Sequence, residues 1–109
     1  MFLKDETREP DQKNLKIAYS DNLIGPYSKA STKITGNYWA EGPTALKIGK
    51  DWLVYFDKYR EHKYGAITST DLRNWTDISD QLVLPKGIRH GSVLKITPQE
   101  LEVLQSAGQ

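Results

Sequence analysis

Glu41 stands in Trp39-Ala40-Glu41-Gly42-Pro43, between an indole and a Gly-Pro turn, directly before the apolar run Thr44-Ala45-Leu46-Lys47-Ile48. A carboxyl group so placed can donate a proton. An indole that partly desolvates it should raise its pKa, the condition for a general acid near neutral pH. Glycine permits close backbone approach, proline stiffens the turn, and the Trp39 face could carry a sugar ring. The plain alternative is an exposed loop glutamate, the usual fate of that residue. Arg89-His90-Gly91 repeats the arrangement, since Ser92-Val93-Leu94-Lys95-Ile96 matches residues 44–48 and also follows a polar group and a glycine. His90 is a candidate for binding or metal ligation, against a purely structural histidine. Arg89 could meet substrate hydroxyls or a carboxylate, or lie on the surface. Trp39 could line a sugar subsite or pack in the core. Tyr59 and Arg60 are weaker candidates.

These residues need strands to hold them. Residues 14–20 alternate apolar and polar with period two, and residues 52–56 are rich in aromatic and β-branched types. Further strands are expected at 2–4, 44–48, 64–69, 75–78 and 89–96, with a short edge strand near 33–35. Thr97-Pro98-Gln99-Glu100 combines a threonine cap, a proline at the first helical position and a glutamate three residues after the cap, which predicts a helix start. Leu101, Val103 and Leu104 could dock that helix. Trp52, Tyr55, Phe56 and Trp75 are expected in the core.

The strands repeat. Asp5-Glu6-Thr7-Arg8-Glu9 lies over Asp57-Lys58-Tyr59-Arg60-Glu61, and Leu15-Lys16-Ile17-Ala18-Tyr19-Ser20 over Tyr64-Gly65-Ala66-Ile67-Thr68-Ser69. A period of roughly 40 to 50 residues with about four strands per unit is propeller-like. The expectation is an all-β fold: a partial propeller of about two blades of four-stranded antiparallel sheet, with a short C-terminal helix. Residues 1–38 form a partial blade, 39–80 a complete one, 81–97 the first strand of the next, and 98–109 the helix and tail. The chain reads as a piece of a larger propeller, the alternative being a small open sheet domain. Open strand edges invite self-association.

Composition narrows the function. The chain has 109 residues, no cysteine and a net charge of +1, which excludes disulfides, thiolate metal sites and a basic nucleic-acid footprint. No apolar run approaches the ~20 residues of a membrane span, so neither nucleic acid nor membrane is an expected partner. A soluble domain is expected, and a secreted or periplasmic parent would carry its signal outside this sequence. No phosphate-cradling glycine loop is present.

The ordered set Trp39-Ala40-Glu41-Gly42-Pro43, Trp52-Leu53-Val54-Tyr55-Phe56-Asp57, Ser69-Thr70-Asp71-Leu72-Arg73-Asn74-Trp75 and Arg89-His90-Gly91 resembles the later blades of glycoside hydrolase family 43. The resemblance runs nearly to Ile96. It implies a five-bladed propeller of the arabinosidase, xylosidase or arabinanase kind, inverting the anomeric centre with a general acid Glu, a base Asp and a tuning Asp. The motif assigns the acid to Glu41 only. Base and tuner fall outside the matched region, so the isolated chain is expected to be inactive. The resemblance further places His90 near the propeller axis, by a structural calcium or a water cluster; no other cofactor is implied. A non-catalytic piece that binds glycans or proteins, or self-assembles, is the competing reading.

Overall fold

The computed structural model describes residues 1–108; the last tail residue, Gln109, lies outside them. β1 (Phe2–Lys4) and β2 (Leu15–Ile17) form a two-stranded antiparallel sheet. β3 (Glu41–Ile48), β4 (Asp51–Lys58), β5 (Lys63–Ser69) and β6 (Thr76–Asp77) form a four-stranded antiparallel sheet in chain order. α1 (Pro98–Ala107) follows. The fold is therefore all-β with one short helix.

The sheets pack on the apolar face of β4. Val54 and Phe56 alternate inward, as a strand's period of two requires. They join Leu15 of β2, Ala40 and Ile67 of β5 in one buried cluster. Phe2 meets Trp75 edge-on at 5.8 Å, and Tyr38 stacks on Phe56 at 5.8 Å. Burying a side chain of the size of Phe56 is worth about 1.5–3 kcal/mol. Trp52 and Tyr55 are only partly covered.

The outer side of β2 carries no regular strand. The edge strand expected near residues 33–35 is replaced by an extended segment that bonds β2 at an unusual pitch. The N–H groups of Ser28, Ser31 and Ile34 donate to the carbonyls of Tyr19, Ile17 and Leu15. In return, the N–H groups of Tyr19, Ile17 and Leu15 donate to the side-chain oxygens of Ser28, Ser31 and Thr35. The segment advances three residues for every two of β2, which carries its own carbonyls out of line, so hydroxyls substitute as acceptors. The hydroxyls of Ser28 and Ser31 then donate to the carbonyls of Lys29 and Thr32. Ser79 plays the same part beyond β6, accepting from the Ala66 N–H.

Two further expectations are corrected. Residues 89–96 form no strand. Alternating apolar residues do not suffice, because strand N–H and C=O groups need a paired neighbour, and among the described residues no strand lies alongside. The helix forms as expected, with a complete capping box between Thr97 and Glu100. It does not dock: Leu101, Val103 and Leu104 are all exposed.

Candidate active site

Glu41 is the first residue of β3 and pairs with Asp57 near the end of β4; the register slips between Glu41 and Thr44. The slip is a bulge at Gly42-Pro43, which suits both residues: a proline is tolerated at a bulge on an outer strand, and Gly42 takes φ +60°. A Cβ on Gly42 would lie 2.5 Å from His90 Nδ1. The missing side chain is the space that His90 occupies.

A row of acidic and basic side chains converges there. Lys4 Nζ, from β1, donates to Glu41 Oε2 at 2.8 Å and also pairs with Glu6 at 2.6 Å. His90 Nε2 lies 3.4 Å from Glu41 Oε1 and 3.7 Å from Asp57 Oδ2. Arg89 Nε donates to the same Asp57 oxygen at 3.2 Å. Lys13 joins Glu6 from outside at 2.5 Å. The row Lys13, Glu6, Lys4, Glu41, His90, Asp57, Arg89 sets basic side chains between acidic ones and ties the smaller sheet, the β3–β4 hairpin and the 89–91 segment together.

This environment reverses one expectation. The Glu41 carboxyl is held below its ordinary range, first by the Lys4 hydrogen bond, with the charges of Lys4, His90 and Arg89 adding to it; burial opposes but does not prevail. Partial burial works against the Lys4 charge, yet its bonds to Glu41 and Glu6 raise its pKa. The indole does not supply the desolvation expected of it. Trp39 carries the Arg60 guanidinium 3.5 Å from its ring centroid and tilts against Tyr59. One face that could have met a sugar is thus occupied by Arg60.

Glu41, His90 and Arg89 are brought together as the repeat suggested; Trp39 belongs to a neighbouring aromatic–cation stack. Asp57 is the residue that sequence reasoning missed. It ends a second strand rather than opening a first one. In an antiparallel hairpin those two positions are neighbours. Plain counting from the turn, where Ile48 pairs with Asp51, would set Lys58 opposite Glu41; the bulge at Gly42-Pro43 shifts the register by one and brings Asp57 there instead.

Beside Glu41 an open cleft of about 410 Å³ is lined by Gly42, Pro43, Thr44, His90, Gly91 and Ser92. Its walls offer hydroxyls, an imidazole and backbone groups, the functions that recognise polyols. Glu41, Asp57 and His90 each offer a ligand atom within 4.8 Å of the others. Calcium takes 6–8 oxygen ligands. Here two carboxylates are present, each already paired with Lys4 or Arg89, so these residues do not fit a calcium ion.

An all-β protein with a carboxylate at a sheet's inner end and a polyol-type cleft beside it falls in the class of carbohydrate-active domains. The chain belongs to the family related to glycoside hydrolase family 43, whose model, described as a probable glycosyl hydrolase domain, matches residues 1–102. No curated protein and no solved structure matches the chain. It is a glycosyl hydrolase-like domain.

Proposed function

We propose that Glu41 is the proton donor of an inverting glycosyl hydrolase that cleaves arabinofuranosyl or xylosyl linkages in plant-type polysaccharides or oligosaccharides. The observation that carries this is the Glu41 carboxyl, its side chain 24% exposed and 3.4 Å from His90, which lines the adjoining hydroxyl-bearing cleft. His90 and the unbonded N–H groups of Arg89 would hold sugar hydroxyls. Proton donation asks Lys4 to release Glu41, and Glu6 is already a second partner for that ammonium.

Inversion needs a second carboxyl about 6.5–9.5 Å away, with water between. Asp57 is too close, 1% exposed and bonded to Arg89. Asp5 pairs with Lys16, Asp71 caps its own turn and Asp77 accepts from Tyr38. Each is engaged elsewhere, so the chain on its own is expected to bind arabino- and xylo-oligosaccharides without turning them over. In the active enzyme, Glu41→Gln should cost about 10²–10⁴-fold on glycosides with poor leaving groups and far less on activated aryl glycosides. Equal losses on both would remove Glu41 from the acid role. The Lys4–Glu41 ion pair favours a second reading, a glycan-binding domain without catalysis; it predicts binding that survives Glu41→Gln and no hydrolysis in any assembly.

A further inference from the structure

Asp57 has no part in the proton transfer just proposed, yet it is the one charged side chain buried among the described residues. A buried carboxylate is costly unless paired. Its partners, Arg89 and His90, both come from the 89–91 segment, which has no strand ladder of its own. That segment has few other attachments. The Tyr64 hydroxyl donates to the Gly91 carbonyl at 3.4 Å, and the His90 ring rests in the space left by Gly42. His90 also sits at φ +38°, a conformation that side-chain-bearing residues adopt only when surrounding contacts hold them there. The charged groups around its ring are Lys4, Glu41, Asp57 and Arg89, with the Tyr64 hydroxyl nearby.

We propose that Asp57 is a positioning residue: its buried carboxylate, acting through Arg89 and His90, fastens the 89–91 segment over the start of β3 and aims His90 Nε2 at Glu41. The importance of that aim rests on the reading of Glu41 and His90 as the site; the fastening itself does not. His90 Nε2 lies between oxygens of Glu41 and Asp57, at 3.4 and 3.7 Å. Only Asp57 also holds Arg89, so only Asp57 can anchor the segment at two consecutive residues. Glu41 is shared with Lys4 and contributes less.

The test is nuclear Overhauser spectroscopy on the isotope-labelled 109-residue chain. Contacts between the His90 ring protons and the Gly42 α-protons report the anchored position, and His62 serves as an internal reference. Asp57→Asn, close in volume, should abolish the His90–Gly42 contacts while the Tyr38–Phe56 core contacts and the His62 signals persist. Glu41→Gln should leave the His90–Gly42 contacts in place. If Asp57→Asn does not fold, Arg89→Gln, at a site whose side chain is 60% exposed, should weaken the same contacts at least twofold. Persistence of the His90–Gly42 contacts in a folded Asp57→Asn chain overturns the proposal, as does their loss in Glu41→Gln alone. In the active enzyme, Asp57→Asn should lower turnover alike for good and poor leaving groups, a pattern distinct from that of Glu41→Gln.

Discussion

Thr35 offers a sharp test of the hydroxyl pairing along β2. Its side-chain oxygen, in a residue 5% exposed, is the acceptor for the N–H of Leu15, which is 0% exposed. The other side of β2 bonds β1, so this N–H has no second route. Thr35→Val keeps the shape and deletes the acceptor. A buried donor left unmade costs about 1–3 kcal/mol. Thr35→Ser keeps the acceptor and loses one methyl, about 0.8 kcal/mol. With a urea dependence of about 1.5 kcal/mol per molar, a loss of about 2 kcal/mol moves the midpoint down by about 1.3 M, and the serine variant by about 0.5 M. The assay is urea unfolding followed by tryptophan fluorescence, with amide exchange at Leu15 as the local readout. Packing alone predicts the opposite order, valine above serine. Valine equal to or more stable than wild type would refute the claim that the hydroxyl completes the sheet.

Other outcomes can be checked in the same way. Gly65→Ala places a Cβ 2.6 Å from Phe56 Cε2, so overpacking should cost about 1–3 kcal/mol, read as a lowered urea midpoint. Glu6 is held at about 2, chiefly by its bond to Lys13, and Glu41 below its ordinary 4.5. Depressed carboxylates stabilise above their unfolded values and lose that contribution as pH falls through their folded ones. Stability should therefore drop between about pH 4.5 and 2, and less steeply in 1 M salt, measured by thermal unfolding across pH. Thr97→Ala removes the α1 cap, worth about 1 kcal/mol to the helix. Since α1 docks on nothing, helical circular dichroism should fall while the unfolding transition of the sheets stays put.

What could be read in the chain divides along the range of the interactions. The β3–β4–β5 meander was legible because the aromatic and β-branched residues of 52–56 mark a strand by their own local preference. The capping box of α1 was legible for the same reason. Glu41, Arg89 and His90 drew notice because a short sequence repeat puts polar groups and a glycine before matching apolar runs, although only the run after Glu41 forms a strand. The state of Glu41 could not be. It depends on Lys4, which reaches across from the other sheet, and no local pattern announces a partner so distant in the chain. The strand expected at 89–96 failed because alternation describes one strand's faces and says nothing of its hydrogen-bonding neighbour. Asp57 was hidden by the bulge: regular pairing would set Lys58 opposite Glu41, and only the register shift at Gly42-Pro43 puts Asp57 there.

The three-for-two pitch outside β2 also bears on how copies of this chain can meet. A sheet grows by offering another strand a regular row of free N–H and C=O groups. The segment over residues 28–35 spends three of its N–H groups on β2 carbonyls and directs two carbonyls to its own serine hydroxyls, at a spacing no extended strand can match. Beyond β6, a strand of two residues, Ser79 closes the other sheet in like manner. The margin outside β2 is thus unsuited to templating a further strand. Of the other edges, β1 and β6 are only three and two residues long, and the Gly42-Pro43 bulge breaks the row on the free side of β3, which limits strand-to-strand recruitment, the usual first step toward fibrous deposits.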